Sequence, residues 1–142
     1  MIHFVDTSAL VKLYIAEEGT EAMQDRVHRT VVAVSQLTYA EAHAAFARLL
    51  RDGLLQAQEY EMIRYHFERD WATTLRLPLS EAILAQVPIL CLRHPLRGAD
   101  ALQLASALVL RDEGVSVTLV TSDHQLVIAG EAERLAVFDP SK

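Results

Sequence analysis

Cysteines, long apolar runs and a basic leader are scarce or missing in this sequence. Cys91 is the only cysteine among 142 residues, which excludes a disulfide framework and a cysteine-rich zinc site. The longest apolar run, 101–110, is broken by Gln103 and is far shorter than the roughly 20 residues that a membrane span needs. Residues 1–6 lack the features of a secretory signal. We therefore expect a soluble protein in a reducing, cytoplasmic compartment, with no membrane partner.

Positive charge is also in short supply. The chain has 13 Lys and Arg against 19 Asp and Glu, a formal net charge of −6. Lys and Arg supply most of the non-specific affinity for nucleic acids by neutralising phosphates, so this balance argues against a general nucleic-acid coat protein. It leaves open an enzyme that meets phosphates through a metal ion, and any positive charge for RNA would have to be local.

The composition is that of one globular domain. Hydrophobic residues make up 51% and charged residues 23% of the chain, which is too apolar for a disordered protein. A chain of this length can bury a core without disulfides or a structural metal. We predict a single domain over residues 1–142.

Short apolar runs predict strands, and apolar residues at helical spacing predict helices. The predicted strands are 2–5, 31–34, 75–77, 115–120 and 135–138. The predicted helices are 7–15, 20–29, 37–51, 56–73, 80–92, 98–112 and 123–132. Strands that are apolar throughout and alternate with helices indicate an α/β fold with a parallel sheet covered on both faces.

Two of the predicted helices have particular features. The helical spacing of 37–51 is set by the apolar residues Leu37, Ala40, Ala44, Ala47 and Leu50. In contrast, the helix 80–92 contains Pro88, which lacks the N–H of a regular helical hydrogen bond. We therefore expect this helix to be irregular.

Four acids fall where strands pass into helices. Asp6 directly follows the first strand, and Asp123 follows the strand 115–120. Glu41 lies in the first turns of the helix after the second strand, and Asp100 lies at the start of the helix 98–112. Ligands of open parallel sheets bind outside the carboxyl ends of the strands, so we expect these four side chains to converge there.

Each acid also has a purely structural explanation. Asp6 and Asp123 are suitable N-caps, Asp100 is suited to a helix dipole, and Thr38-x-x-Glu41 has the form of a capping box. A cap needs only a helix start, however, and does not require that all four helix starts share one edge. Among the four acids, Glu41 has the strongest structural alternative to metal binding, because it fits the capping box.

Carboxylates held close together repel one another unless a cation is present. All-oxygen ligation without a cysteine cluster favours Mg²⁺, or Mn²⁺ as a substitute, over zinc. Such an ion can activate water and stabilise charge on a phosphate, which is the chemistry of phosphodiester hydrolysis. The histidines form no His-Glu-x-x-His pair. His124 follows Asp123 and could touch this site, but an ordinary residue at a helix start is the favoured interpretation.

Four segments in order along the chain resemble the motifs of PIN-domain nucleases, in particular the VapC-type toxins of bacterial toxin-antitoxin pairs. They are FVDTSAL at 4–10, LTYAE at 37–41, RGADALQLASA at 97–107 and VTSD at 120–123. The resemblance implies that the four acids are metal ligands, with Ser8 as a polar support and Thr121 as a hydroxyl neighbour. Gln103 departs from the family, since many relatives have His there, and this places an accessory role of that His in doubt.

The resemblance also implies a fold and an activity. The implied fold is a three-layer α/β/α sandwich with a central parallel sheet. The implied activity is that of a Mg²⁺-dependent endoribonuclease, with catalytic and metal-binding roles for Asp6, Glu41, Asp100 and Asp123. The implied partners are an RNA substrate, a second copy in a homodimer, and a cognate antitoxin that inserts a basic side chain into the acidic pocket.

Local positive charge precedes Asp100 in the segment RHPLR at 93–97. We hypothesise that Arg93 and Arg97 help to hold the RNA backbone near the metal. The alternative is that both arginines belong to a solvated loop.

Two other classes of protein use a similar arrangement. A non-catalytic PIN-like module would bind RNA or protein through the same surface, although retention of all four acids argues against it. A phosphorylation-switched receiver domain needs an acidic pair after the first strand and an Asp after a central strand. Here Thr7 and Ser8 follow Asp6, and Ser35 follows the second strand, so a receiver domain is the weaker alternative.

Overall fold

The computed structural model describes residues 1–142 as five strands and seven helices. The strands are β1 (Ile2–Val5), β2 (Val31–Ser35), β3 (Leu75–Leu77), β4 (Val117–Val120) and β5 (Ala136–Phe138). The helices are α1 (Thr7–Leu10), α2 (Thr20–Val27), α3 (Leu37–Arg51), α4 (Ala57–Trp71), α5 (Glu81–Arg93), α6 (Gly98–Asp112) and α7 (His124–Ala132).

All five strands pair in parallel, in the order β3-β2-β1-β4-β5. The strand order reverses at β1, because the chain moves outward through β2 to β3 and then returns to place β4 on the other side. The carboxyl ends of β1 and β4 therefore flank a topological switch point, which is where open α/β sheets bind their ligands.

Neighbouring residues of each inner strand face opposite sides of the sheet. Phe4 and Leu119 pack against α5, α6 and α7 in one buried cluster. Val5 and Val120 pack against α1 to α4 in the other. The sheet is thus covered by helices on both faces, which confirms the predicted three-layer α/β/α fold.

The first helix differs from its prediction. The helix 7–15 is regular only as the four residues of α1, after which Val11–Leu13 form a 3₁₀ turn. Short 3₁₀ segments are common at helix ends, where the last hydrogen bonds tighten. The periodicity predicted that these residues are helical, but it did not predict the change from α-helix to 3₁₀-helix after Leu10.

The buried stripe of α3 also differs from the pattern of apolar residues in its sequence. The buried side chains are Thr38, Ala42 and Phe46, whereas Ala40 and Ala44 are exposed. Phe46 contacts Phe67 of α4 edge to face, with 5.5 Å between ring centroids. Burial of a large aromatic ring gains more free energy than burial of alanine methyl groups, so the ring determines which face of α3 turns inward.

Pro88 lies inside α5, which continues without a break from Glu81 to Arg93. The proline therefore does not interrupt the helix, and the irregularity is the one hydrogen bond that Pro88 cannot donate. Pro88 is exposed, so the backbone carbonyl that loses its partner can be hydrated.

Helix α7 lies very close to the sheet. A Cβ atom on Gly130 would lie 2.9 Å from Leu119 Cδ2 and 3.0 Å from Val137 Cγ2. A side chain at position 130 would therefore require both neighbours to shift, so glycine permits the close approach of the helix that begins beside Asp123. Among all the helices, none is both long and apolar enough to cross a bilayer.

Candidate functional site

Each of the four predicted acids lies at or near the beginning of a helix on the carboxyl side of the sheet. Asp6 is the N-cap of α1 and Asp123 is the N-cap of α7. Asp100 is in the first turn of α6. Glu41 is in the second turn of α3.

Asp6 is almost fully buried, with 4% of its surface exposed. Its Oδ1 accepts hydrogen bonds from Ser8 Oγ at 2.8 Å and from the backbone N–H of Ala9 at 3.3 Å. Its own backbone N–H donates to the carbonyl of Val120 at 3.0 Å. The predicted cap role of Asp6 is therefore present, but both of these side-chain bonds reach the same carboxylate oxygen.

Ser8 joins the loop after β1 to the loop after β4. Besides donating to Asp6, its hydroxyl accepts from the backbone N–H of Ser122 at 3.0 Å and lies 3.4 Å from Thr121 Oγ1. Thr121 Oγ1 in turn accepts from the backbone N–H of Asp123 at 3.0 Å. The two hydroxyls that sequence analysis singled out thus connect the first acid to the fourth.

Asp123 caps α7 through one oxygen only. Its Oδ1 accepts from the backbone N–H groups of Gln125 at 2.9 Å and Leu126 at 3.1 Å. Neither bond engages Oδ2. Asp123 can therefore cap the helix and still offer an oxygen to another ligand.

Glu41 does not form the capping box that Thr38-x-x-Glu41 suggested. The N-cap of α3 is Gln36, which makes no side-chain cap bond, so Thr38 lies inside the helix. Glu41 Oε1 accepts from Thr7 Oγ1 at 2.8 Å and from Gln103 Nε2 at 3.1 Å. A capping box does occur in the chain, at Gln56 and Glu59 of α4, where the sequence analysis had not predicted one.

Gln103 is a site residue whose role sequence analysis did not identify. It is 2% exposed, and its Nε2 also lies 3.0 Å from Thr38 Oγ1 and 3.3 Å from Thr7 Oγ1. The available signal was an isolated Gln within the apolar run 101–110, three positions after Asp100 on the same helix. Residues three apart lie on one helix face, so this Gln should face the same site as Asp100.

The acids interact with one another through charge. Burial raises the pKa of Asp6 to about 7. Hydrogen bonds from Ser8, Ala9 and Thr121 lower this pKa, and the negative charge of Asp123 raises it further. Burial, followed by the charges of Asp123 and Glu41, raises the pKa of Asp100, while Arg97 opposes the rise. The four side chains therefore share one electrostatic environment, and their mutual repulsion favours a cation.

The donor chemistry of this edge suits a hard divalent ion. No group of three or more His, Cys, Asp or Glu side chains is arranged so that together they could hold a metal ion. Mg²⁺, however, commonly keeps several waters and binds through only one or two carboxylates. Glu41 Oε2 and Asp123 Oδ2 accept none of the bonds described above, so the residues fit a largely hydrated Mg²⁺.

The two predicted RNA-binding arginines lie in different surroundings. Arg97 is the N-cap of α6, exposed, and near enough to Asp100 to affect its pKa. Arg93 instead pairs with Glu133 Oε1 at 3.3 Å. Because Glu133 follows the end of α7, about 15 Å of helix separate it from Asp123. Arg97 therefore lies near the acids, whereas Arg93 is paired at a distance from them. His124 is the first residue of α7 and is exposed.

Residues 3–131 match the family model of the PIN domain. The chain is 34% identical over 117 residues to "Ribonuclease VapC45" and to "Ribonuclease VapC49", both of Mycobacterium tuberculosis, covering 82% of this chain and 81% of each relative. Its fold is also similar to that of VapBC-1 from nontypeable Haemophilus influenzae, with a TM-score of 0.70, 19% identity and full coverage of both chains. It is similar as well to Mycobacterium tuberculosis VapC20, a "Sarcin-Ricin loop cleaving toxin", with a TM-score of 0.65, 19% identity, and 90% and 95% coverage.

Proposed function

The chain belongs to the PIN-domain family and groups there with the VapC ribonucleases, and from this premise we propose that it is a Mg²⁺-dependent endoribonuclease. The observation that carries the proposal is that all four acids lie at or near helix starts on the carboxyl side of one parallel sheet, with Asp6 and Asp123 linked through Ser8 and Thr121. These acids reach one edge of the sheet from four separate helices. Structural caps alone would not need to share one edge in this way.

One or two of the four acids would bind the ion directly and the others would bind its waters, while the hydroxyl groups would orient the acids. When bound, Mg²⁺ supplies positive charge to the scissile phosphate and lowers the pKa of water for attack on phosphorus. Ser8 keeps Asp6 Oδ1 occupied, so the carboxylate has a fixed orientation. Thr121 orders the backbone of Asp123, and thereby the start of α7.

Arg97 is the candidate for holding the RNA backbone in this proposal. It is exposed beside Asp100, and a guanidinium group is well suited to phosphate oxygens. Its positive charge is local, as a chain with a net charge of −6 requires. Arg93 would contribute less, because it pairs with Glu133 rather than lying beside the acids.

The proposal extends to a toxin-antitoxin pair, because the similar VapC20 is a "Sarcin-Ricin loop cleaving toxin" and the similar VapBC-5 of Mycobacterium tuberculosis belongs to a family of toxin-antitoxin systems. A cognate antitoxin would inhibit the enzyme by inserting a basic side chain among the four acids. The positive charge of that side chain would neutralise the same carboxylates that the metal ion neutralises. We further propose a homodimer, which rests on the family likeness alone and is tested by sedimentation.

The test is cleavage of a panel of structured RNAs by the purified, antitoxin-free chain. We expect cleavage in Mg²⁺, none in EDTA, and none for Asp6→Asn in either condition. Asp52→Asn is the matched control, since Asp52 is an exposed acid at the other end of α3, and we expect it to cut as wild type does. A chain that binds these RNAs and cuts none of them would instead be a non-catalytic PIN-like module.

A further inference from the structure

Gln103 is buried at the centre of a group of polar side chains from three helices. Its amide nitrogen is within hydrogen-bond distance of Glu41, Thr38 and Thr7. Thr7 comes from α1, Thr38 and Glu41 from α3, and Gln103 from α6. One side chain therefore connects three of the helices that carry the acids.

The amide of Gln103 can be oriented in only one way. Glu41 Oε1 already accepts from Thr7, and a carboxylate oxygen can only accept hydrogen bonds. A reversed amide would place one oxygen against another at the 3.1 Å that separates Nε2 from Oε1. The nitrogen therefore faces Glu41.

This orientation leaves the other half of the amide without a partner. Gln103 Oε1 is buried and makes no hydrogen bond. An unpaired buried carbonyl is unfavourable, so this half of the amide does not stabilise the fold. The arrangement instead keeps two donors, from Gln103 and Thr7, on one oxygen of Glu41.

We propose that Gln103 is a positioning residue for the metal site, holding Glu41 by Oε1 so that Oε2 remains available to the cation. This inference rests on the proposed function and adds a residue to it. Removing a group that holds a metal ligand in place typically lowers metal affinity by roughly 10- to 100-fold. Gln103 acts through Glu41 and does not itself bind the ion.

The experiment is a calorimetric titration of the purified chain with Mn²⁺, alongside thermal unfolding in EDTA. We expect Gln103→Met to weaken Mn²⁺ binding about tenfold. Its melting temperature without metal should stay within about 4 °C of wild type, because the variant also removes the unpaired Oε1. A merely structural role predicts the reverse, a large fall in melting temperature with little change in affinity.

Ser106→Ala is the matched control. Ser106 is fully buried on the same helix, but its hydroxyl donates only to the carbonyl of Leu102. We expect this variant to bind Mn²⁺ as wild type does. In a Glu41→Gln background, Gln103→Met should cost less than about a twofold further loss of affinity, because the two residues act as one unit.

The outcomes separate this inference from the proposed function. If wild type binds no Mn²⁺ and cuts no RNA, both fail. If wild type does both, and Gln103→Met binds Mn²⁺ within about twofold of it, only the positioning role is overturned. Should Gln103→Met not fold, Thr7→Val removes the other donor and is expected to weaken Mn²⁺ binding, whereas Thr7→Ser keeps the hydroxyl and restores it. Equal affinities for these two Thr7 variants would contradict the inference.

Discussion

The backbone N–H of Asp6 donates to the carbonyl of Val120 at 3.0 Å, which joins the loop after the first strand to the strand that leads to Asp123. These two acids are 117 positions apart in sequence but meet where the strand order reverses. The sheet, and not a local motif, therefore creates the site. Asp6 and Asp123 lie at this edge although their side chains also accept hydrogen bonds from the backbone at the starts of α1 and α7.

Asp6 should make the stability of the metal-free protein depend on pH. Its pKa in the folded state is about 7, against an ordinary value of 3.8, so the folded chain binds this proton more tightly than the unfolded chain does. The resulting stabilisation is fully present below about pH 4 and is lost as the pH rises through about 7. Asp6→Asn has no such group and should not lose this stability.

The measurement is urea unfolding of wild type and Asp6→Asn in EDTA. We expect the two to be similar in acid and the variant to become the more stable one as pH rises to about 8. Parallel pH profiles would show that Asp6 is not held in the protonated form. Saturating Mg²⁺ should reduce the difference, because the metal stabilises the ionised carboxylate.

Asp100→Asn should abolish cleavage without harming the fold. The carboxyl of Asp100 is half-buried and repelled by Asp123 and Glu41, so its removal relieves repulsion in the metal-free protein. We expect an unchanged or higher melting temperature in EDTA, measured by circular dichroism. A sharp fall would indicate that Asp100 serves α6 as a favourable helix-dipole charge.

Ser8→Ala should weaken the metal site through Asp6. The variant loses the donor to Asp6 Oδ1 and the acceptor for the Ser122 N–H, and we expect about a tenfold loss of Mn²⁺ affinity. Ser80→Ala is the control, because it removes a comparable side-chain cap bond, to the N–H of Ile83, at the start of α5. Both changes should cost about 1 kcal/mol of stability, but only Ser8→Ala should affect Mn²⁺. Equal Mn²⁺ affinities would remove Ser8 from the site.

Arg97→Ala should weaken RNA binding and reduce its dependence on salt. Loss of one phosphate contact is expected to lower the slope of log affinity against log salt by about 1. Arg93→Ala serves as the comparison, and its slope should change less because Arg93 pairs with Glu133. Binding can be followed by fluorescence anisotropy with catalytically inactive Asp6→Asn as the background. An Arg97→Ala slope equal to that of the background would count against this role.

Sequence analysis predicted the elements that place the acids better than it predicted the contacts between them. Asp6 and Asp123 could be located because each directly follows an apolar strand, and parallel strands end on one edge. The side chains of α3 that are buried could not be predicted, since the burial of Phe46 depends on Phe67 of a different helix. Periodicity within one helix carries no information about such a partner.

The same limit applies to Glu41 and Gln103. The spacing of Thr38 and Glu41 fits a capping box, but the helix begins two residues too early for Thr38 to be its cap. The actual partners of Glu41 come from α1 and α6, at sequence separations that no local pattern records. Arg93 shows the converse, because its position in the sequence near Asp100 did not reveal its pairing with Glu133.

The most direct test of the metal-dependent ribonuclease is an add-back measurement on one antitoxin-free preparation. The rate of RNA cleavage is measured after chelation with EDTA and again after excess Mg²⁺ is added, for wild type and Asp123→Asn. We predict no cleavage in EDTA, recovery with Mg²⁺ for wild type, and no recovery for Asp123→Asn. Cleavage that persists in EDTA, or that Mg²⁺ restores equally in Asp123→Asn, would contradict a metal centre built on these acids.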